Sequence, residues 1–201
     1  GVMKGSDREN VAGAVTLSYR YKSLVFRNVL SVTFNKANDS PYGSFSEYTK
    51  LNPYWSPRDE NGNLKRVLGS FQKADWQSET VYYNPLYNAT LGTKNFSKYT
   101  EITDNFYMEW QMYKDLKFIG RFGYTQKQDS REDFYPGNHT KFAEWTGDNY
   151  FKRGSYYIKD GTNKTLKIDA TFNYSKQWDK HLLFANLNSN LQQDSYDYHG
   201  M

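Results

Sequence analysis

Apolar and polar residues take turns along much of this chain, and a period of two marks a β-strand with unlike faces. In 11–21, VAGAVTLSYRY, Val11, Val15, Leu17, Tyr19 and Tyr21 share one face, while Ala12, Ala14, Thr16, Ser18 and Arg20 share the other. In 24–34, Leu24, Phe26, Leu30, Val32 and Phe34 oppose Val25, Arg27, Val29, Ser31 and Thr33. In 105–124, Phe106, Met108, Trp110, Met112, Leu116, Phe118, Phe122 and Tyr124 alternate with Glu109, Gln111, Lys117 and Arg121. A last pair begins with Leu166, Ile168, Ala170, Phe172, Tyr174 and Trp178 set against Lys167, Asp169, Thr171, Asn173 and Ser175. Its return strand is mixed, with Leu182 and Phe184 on the face opposite Leu183 and Leu187.

Short polar segments join these runs. Lys22-Ser23, Lys114-Asp115 and Asp179-Lys180 each follow an aromatic residue and precede a Leu, or a His-Leu pair in the third case. The spacing predicts three antiparallel hairpins, or about six main strands, with tight turns at one end. Residues 35–99 and 127–163 lack sustained alternation and are rich in Asn, Asp, Gly, Ser, Tyr and Pro. They read as very long loops at the other end, a length class often tied to function. GSYYIKDGTNKTL (154–166) reads as an added hairpin extension turning at Asp160-Gly161.

The oily faces need a cover, and the sequence offers no second set of oily segments to supply one. In one geometry such a sheet packs on a core and shows water its polar side. In another the oily side meets lipid and the polar side lines a wet lumen. The oily bands span the roughly 9–11 residues that cross a bilayer at a tilt. Aromatic residues border them, Tyr21 and Trp178 beside the turns, Phe34 and Tyr124 toward the loops, as in membrane-boundary belts. The fold expected is all-β, with up-and-down hairpins forming an arc of a large transmembrane β-barrel. Six strands cannot close round an aqueous pore, since about eight already fill with side chains. A soluble β-rich carbohydrate-binding module and a small closed barrel of adhesion or enzyme type are the rival readings.

Composition narrows the function classes. Mean hydropathy is −0.93, and no stretch approaches the roughly 20 apolar residues of a membrane-spanning helix. The 26 basic and 22 acidic residues are mixed along the chain without a basic stripe, which argues against nucleic acid. With no cysteine there is no disulfide or thiolate metal site. His139, His181 and His199 sit in no metal-ligand spacing. Asp129, Glu132 and Asp133 cluster in DSREDFYPGNH, but not at the spacing of a calcium loop, and Arg131 intrudes. No phosphate loop or nucleophile elbow occurs, so neither cofactor nor covalent chemistry is expected. The sequons at Asn88, Asn95, Asn138 and Asn163 are what an Asn-, Ser- and Thr-rich chain produces by chance.

Four phrases carry a resemblance: GVMKGSDREN, SPYGSFSEYTKLNPYW, NPLYNATLGTKNFSKYTEITDNFYMEW and EDFYPGNHTKF. Together, over nearly the whole chain, they resemble the SusC/RagA family of TonB-dependent outer-membrane transporters from Bacteroidetes-type bacteria. The resemblance implies a barrel of about 22 strands around an N-terminal plug domain. It also implies a SusD-like surface lipoprotein as a lid, glycan or peptide as substrate, and energy from the TonB–ExbB–ExbD system. Residues 1–201 would be early-to-middle barrel, without the plug, the TonB-contacting segment or the terminal strand.

Three sets of residues then acquire expected roles. Tyr42, Tyr48, Tyr54, Trp55, Trp76, Phe134, Tyr135 and Trp145 are the loop aromatics that could stack on substrate, or else hold the loops together. Arg20, Arg27, Glu109, Lys117, Arg121, Lys167 and Asp169 are expected to face the lumen or the plug. Leu24, Phe26, Leu30, Phe34, Met108, Trp110, Phe118, Phe122, Ile168 and Phe172 are expected to face outer-membrane lipid.

Overall fold

The structure, a computed structural model, describes residues 3–72 and 78–201. Its strands, in chain order, are β1 (Asp7–Tyr21), β2 (Leu24–Asn38), β3 (Val67–Gln72), β4 (Glu79–Tyr83), β5 (Lys94–Tyr113), β6 (Leu116–Tyr135), β7 (Ser155–Trp178) and β8 (His181–Gly200). Six of them form one antiparallel up-and-down sheet in the order β1-β2-β5-β6-β7-β8, with β1 and β8 as its edges. The short β3–β4 hairpin lies within the first long connection. The tight turns fall at the three expected dipeptides. Lys22 (φ 52°) and Asp179 (φ 50°) take the left-handed conformation, as turns matched to strand twist require.

The register carries one parity across the whole sheet. Tyr21, Leu24, Trp110, Phe118, Phe172 and Leu187 form a single cross-strand row, and the neighbouring rows on that face hold Phe26, Met108, Phe106, Phe122 and Ile168. Rings touch within it: Phe118 and Phe172 lie 4.9 Å apart, Phe26 and Phe106 5.8 Å. All ten residues of the expected apolar set fall on this face. All seven of the expected polar set fall on the other. On β8, Leu183, Leu187 and Leu191 join the apolar face, and Leu182 and Phe184 the polar one. The apolar face also carries Asn28 and Asp104, where the amide donates to the carboxylate.

Among the described residues, neither face is covered by a second layer of strands or helices. Among the described residues, each long strand makes its main contacts with its sheet neighbours, and Phe142 is the sole buried apolar side chain. The chain exposes 14686 Å², against roughly 9,800 Å² for a compact protein of its mass. Trp110 and Phe172 remain 40% and 39% exposed, although they sit in the middle of the sheet.

The apolar region is a diagonal band. Its edge toward the loops runs through Val11, Phe34, Ile102, Tyr124, Leu166 and Leu191, and polar residues follow on every strand. Measured against the cross-strand rows, this edge slides by roughly six residues over the five steps from β1 to β8. At ~3.3 Å per residue and ~4.8 Å between strands, that is a skew of about 40°. The turn end of the band slides in the same sense, since the Tyr113/Leu116 and Trp178/His181 turns lie successively further out than Tyr21/Leu24.

Four expectations are corrected. The long connections are shorter than 35–99 and 127–163, because β2 runs on to Asn38, β5 starts at Lys94, β6 reaches Tyr135 and β7 starts at Ser155. Beyond the apolar band both faces are mostly polar, with Phe96, Phe134 and Ile158 as scattered apolar residues, so backbone pairing continues after the regular hydropathy contrast has stopped. Asp160-Gly161 is no turn but lies inside the 24-residue β7. There Gly161 faces Tyr198, whose ring rests on it so closely that a Cβ would lie 2.4 Å from ring carbons. The 129–133 carboxylates lie on β6, where alternation sends Glu132 to the face opposite Asp129 and Asp133. Arg131 pairs with Asp133 at 2.8 Å and Lys94 with Glu132 at 3.4 Å. Lastly, the first long connection is not structureless, since it holds β3–β4.

Candidate functional site

At the loop end, above the polar face, the two long connections enclose a cleft of about 540 Å³. The β-strands supply its floor through Asn95 and Tyr135, whose side chains are hydrogen-bonded at 2.7 Å. One wall is the segment 40–51, which includes the short helix α1 (Phe45–Tyr48). Ser44 caps that helix by accepting from the Glu47 amide, and Glu47 reaches back toward the Ser44 amide, which fixes where the Glu47 carboxylate stands. The opposite wall is β4 with helix α2 (Pro85–Asn88), which brings Tyr82, Tyr83 and Asn88 to the cleft.

Two asparagines hold these pieces in place. Asn84 is 1% exposed. Its amide donates to the carbonyls of Pro57 (2.9 Å) and Lys65 (2.7 Å), and its oxygen accepts from the Leu86 amide as the cap of α2. Asn88 joins the two long connections: it donates to Thr140 Oγ1 at 2.6 Å and accepts from the Thr140 amide at 3.3 Å. The cleft is thus assembled from segments far apart in sequence.

Tyr135 sits at its centre of contacts. The His139 ring meets it edge-on at 5.0 Å, and the Lys141 ammonium stands 4.2 Å from its ring centre. His139 Nδ1 accepts from the Lys141 amide at 3.0 Å. Burial, reinforced by Lys141 and Arg66 nearby, holds the His139 imidazole below its ordinary value of about 6.5. The sign follows: a depressed value means the closed loop binds fewer protons than the opened one, so closure is favoured above pH ~6.5 and weakens as pH falls below it. Intrinsic-rate-corrected amide exchange over 136–143 is expected to be several-fold faster at pH 5 than at pH 7.5 in the wild type, and His139→Gln should abolish that difference. Equal protection at both pH values in the wild type would remove the imidazole from the account of the loop.

The expected loop aromatics are distributed unevenly. Tyr42 and Tyr135 line the cleft. Trp55 packs on Phe71 (5.2 Å) and Tyr82 (5.3 Å) and covers Gly69, holding the β3–β4 hairpin to the loop. Tyr54 is 94% exposed, and Tyr48 is exposed on α1. Trp145 packs edge-on against the buried Phe142 at 5.3 Å. Phe134 points to the apolar-face side, against Tyr156 at 5.9 Å. Trp76 lies outside the described residues. Sequence reasoning missed Tyr82, Tyr83, His139 and Lys141. Asn84 before Pro85 was a readable helix start, but nothing in the sequence tied it to 57–65.

Below the cleft the polar face is a charge network. Tyr107 donates to Glu109 at 2.7 Å, and Lys117 pairs with Glu109 at 2.9 Å. Arg27, Tyr107, Arg121 and Asp169 share one cross-strand row, with the Arg121 guanidinium 5.8 Å from the Tyr107 ring. Aromatic residues divide unevenly by face. Along β5 to β8 the polar face takes tyrosines (Tyr99, Tyr107, Tyr135, Tyr157, Tyr196, Tyr198), with Phe184 the exception, while the apolar face takes Phe106, Trp110, Phe118, Phe122 and Phe172 together with Tyr113, Tyr124, Tyr156 and Tyr174.

No protein-family model and no curated protein sequence matches the chain. Solved structures do resemble it. The RagAB peptide transporter aligns at TM-score 0.69, and the RagAB peptide importer at 0.65 in its open-open state and 0.60 in its closed-closed state. Each is 16% identical over 97% of this chain. The chain spans 21% to 25% of the length of those proteins. At that identity the likeness establishes the fold alone, an all-β antiparallel arc.

Proposed function

We propose that this chain is an early-to-middle arc of the barrel of an outer-membrane importer of SusC/RagA type. The observation that carries the reading is the skewed apolar band. A sheet that closes into a barrel tilts its strands by 35–45°, so a belt level with the membrane must cross the hydrogen-bond rows at that angle. The skew of about 40° meets this requirement. Leu24 to Phe34, tilted so, rises ~25 Å, the height of a barrel's lipid-facing belt. A soluble sheet has no reason to stagger its oily residues this way, and it would cover them. The apolar set then meets lipid, and the polar set faces the lumen or a plug domain.

On this reading the polar half of each long strand projects beyond the bilayer, and the cleft opens at the mouth of the lumen. The whole transporter would work with a SusD-like surface lipoprotein and draw energy from TonB–ExbB–ExbD, through parts other than residues 1–201. Among nutrients, short peptides suit the cleft better than neutral glycans. Glu47, Lys50 and Lys141 offer both signs of charge around tyrosine rings, matching a chain with a cation at one end and a carboxylate at the other.

Calorimetric titration of the full-length transporter tests this. Tri- to pentapeptides should bind, neutral oligosaccharides should not, and Tyr135→Ala should weaken peptide binding about tenfold. Oligosaccharide binding without peptide binding would reverse the substrate class. Peptide binding untouched by Tyr135→Ala would move the site elsewhere.

A further inference from the structure

We propose that Lys36 and Lys98 form a site for the phosphate of an anionic outer-leaflet lipid; this rests on the membrane orientation proposed above. The two lysines are direct cross-strand partners on β2 and β5, on the same face as the apolar band. Like charges set opposite each other disfavour strand pairing. Among the described residues neither makes an ion pair. Both are exposed, so their ammonium groups are free to converge on one bound anion.

Their height selects the ligand. Lys36 is the first residue of its face beyond Phe34, and Lys98 follows Ile102 with only Thr100 between. At the tilt derived above they stand ~5–10 Å outside the edge of the oily belt, the level of lipid headgroups. A shallow cleft of about 250 Å³ straddles that edge, lined by Val11 and Phe34 on the oily side and by Lys36, Lys98, Thr100 and Glu9 on the polar side. Val11 and Phe34 are 55% and 54% exposed, which leaves a surface for acyl chains beneath a phosphate. An amphiphile satisfies both halves at once, whereas free phosphate satisfies one. Glu9 sits beside Lys36 in the same row and opposes an anion, so its removal should strengthen binding.

Native mass spectrometry of the full-length transporter in nanodiscs, loaded with phosphorylated or dephosphorylated lipid A, tests the site. The wild type should retain phosphorylated lipid A selectively. Lys36→Gln with Lys98→Gln should weaken retention about thirtyfold, near fivefold per lysine. Glu9→Gln should strengthen it, and Lys167→Gln on the opposite face should leave it unchanged. Excess inorganic phosphate should not displace the lipid. Equal retention of both lipids, indifference to the double substitution, or displacement by inorganic phosphate each overturns the lipid site. A wild type that stays monodisperse without detergent and refuses nanodiscs overturns the membrane reading itself.

Discussion

Phe172→Arg in the full-length protein is expected to cost about 2–4 kcal/mol more than Phe172→Ala when folding into lipid vesicles is followed by urea titration. Phe172 stands near the middle of the diagonal band, in the row of Trp110 and Phe118. Both substitutions delete the same ring contact with Phe118, so their difference isolates the cost of putting a guanidinium at that depth. Val11→Arg, at the band's edge, should differ from Val11→Ala by only about 0–1 kcal/mol. Water makes the opposite forecast. Phe172 is 39% exposed in the isolated arc, enough for an arginine stem to lie along the sheet and hold its charge in solvent. Arg and Ala variants within about 0.5 kcal/mol of each other at position 172 would mean that no hydrocarbon lies outside this face, and the barrel reading would fail.

What the sequence disclosed follows from where one face differs from the other. Between Leu24 and Phe34, or Leu116 and Tyr124, one side is oily and the other wet, so alternation reveals strand, face and turn together. Past Ile102 and Tyr124 both faces are mostly wet. Tyr99 and Thr100, or Gln126 and Lys127, no longer contrast, and the strands continue unseen. Asp160-Gly161 misled for the same reason: a dipeptide that favours turns stood in a stretch with no pattern to contradict it. Its glycine instead admits the Tyr198 ring from the next strand. Site residues divide likewise. Tyr42 and Tyr135 were visible as aromatics in polar stretches. Tyr135 meets His139 only four residues further on, but the meeting of Tyr42 and Tyr135 with Tyr82 and Tyr83 depends on contacts between segments some 40 to 53 residues apart, for which spacing gives no signal. Lys36 and Lys98 become a pair only through the β2–β5 register.

Asn84→Ala should be the most damaging single change in the loops, and its effect should stay there. Truncation removes both amide donors from the Pro57 and Lys65 carbonyls and the acceptor from the Leu86 amide, in a place where the side chain is almost wholly dry. Unpartnered buried polar groups cost about 1–3 kcal/mol each, and a lost cap adds about 1. The connection can relax and admit water, which limits the loss to about 2–4 kcal/mol of local order. In hydrogen exchange, amides over 57–66 and 84–91 should lose roughly thirtyfold or more in protection, while β5 to β7 keep theirs. Asn84→Asp separates the two roles: it keeps the oxygen that caps α2 and loses the donors that tie down 57–65. Its exchange should therefore rise over 57–66 and stay close to wild type over 85–88. Because Asn84 touches no cleft ligand group, weaker peptide binding in Asn84→Ala would trace to the walls it holds, and unchanged protection would show that the walls stand without it.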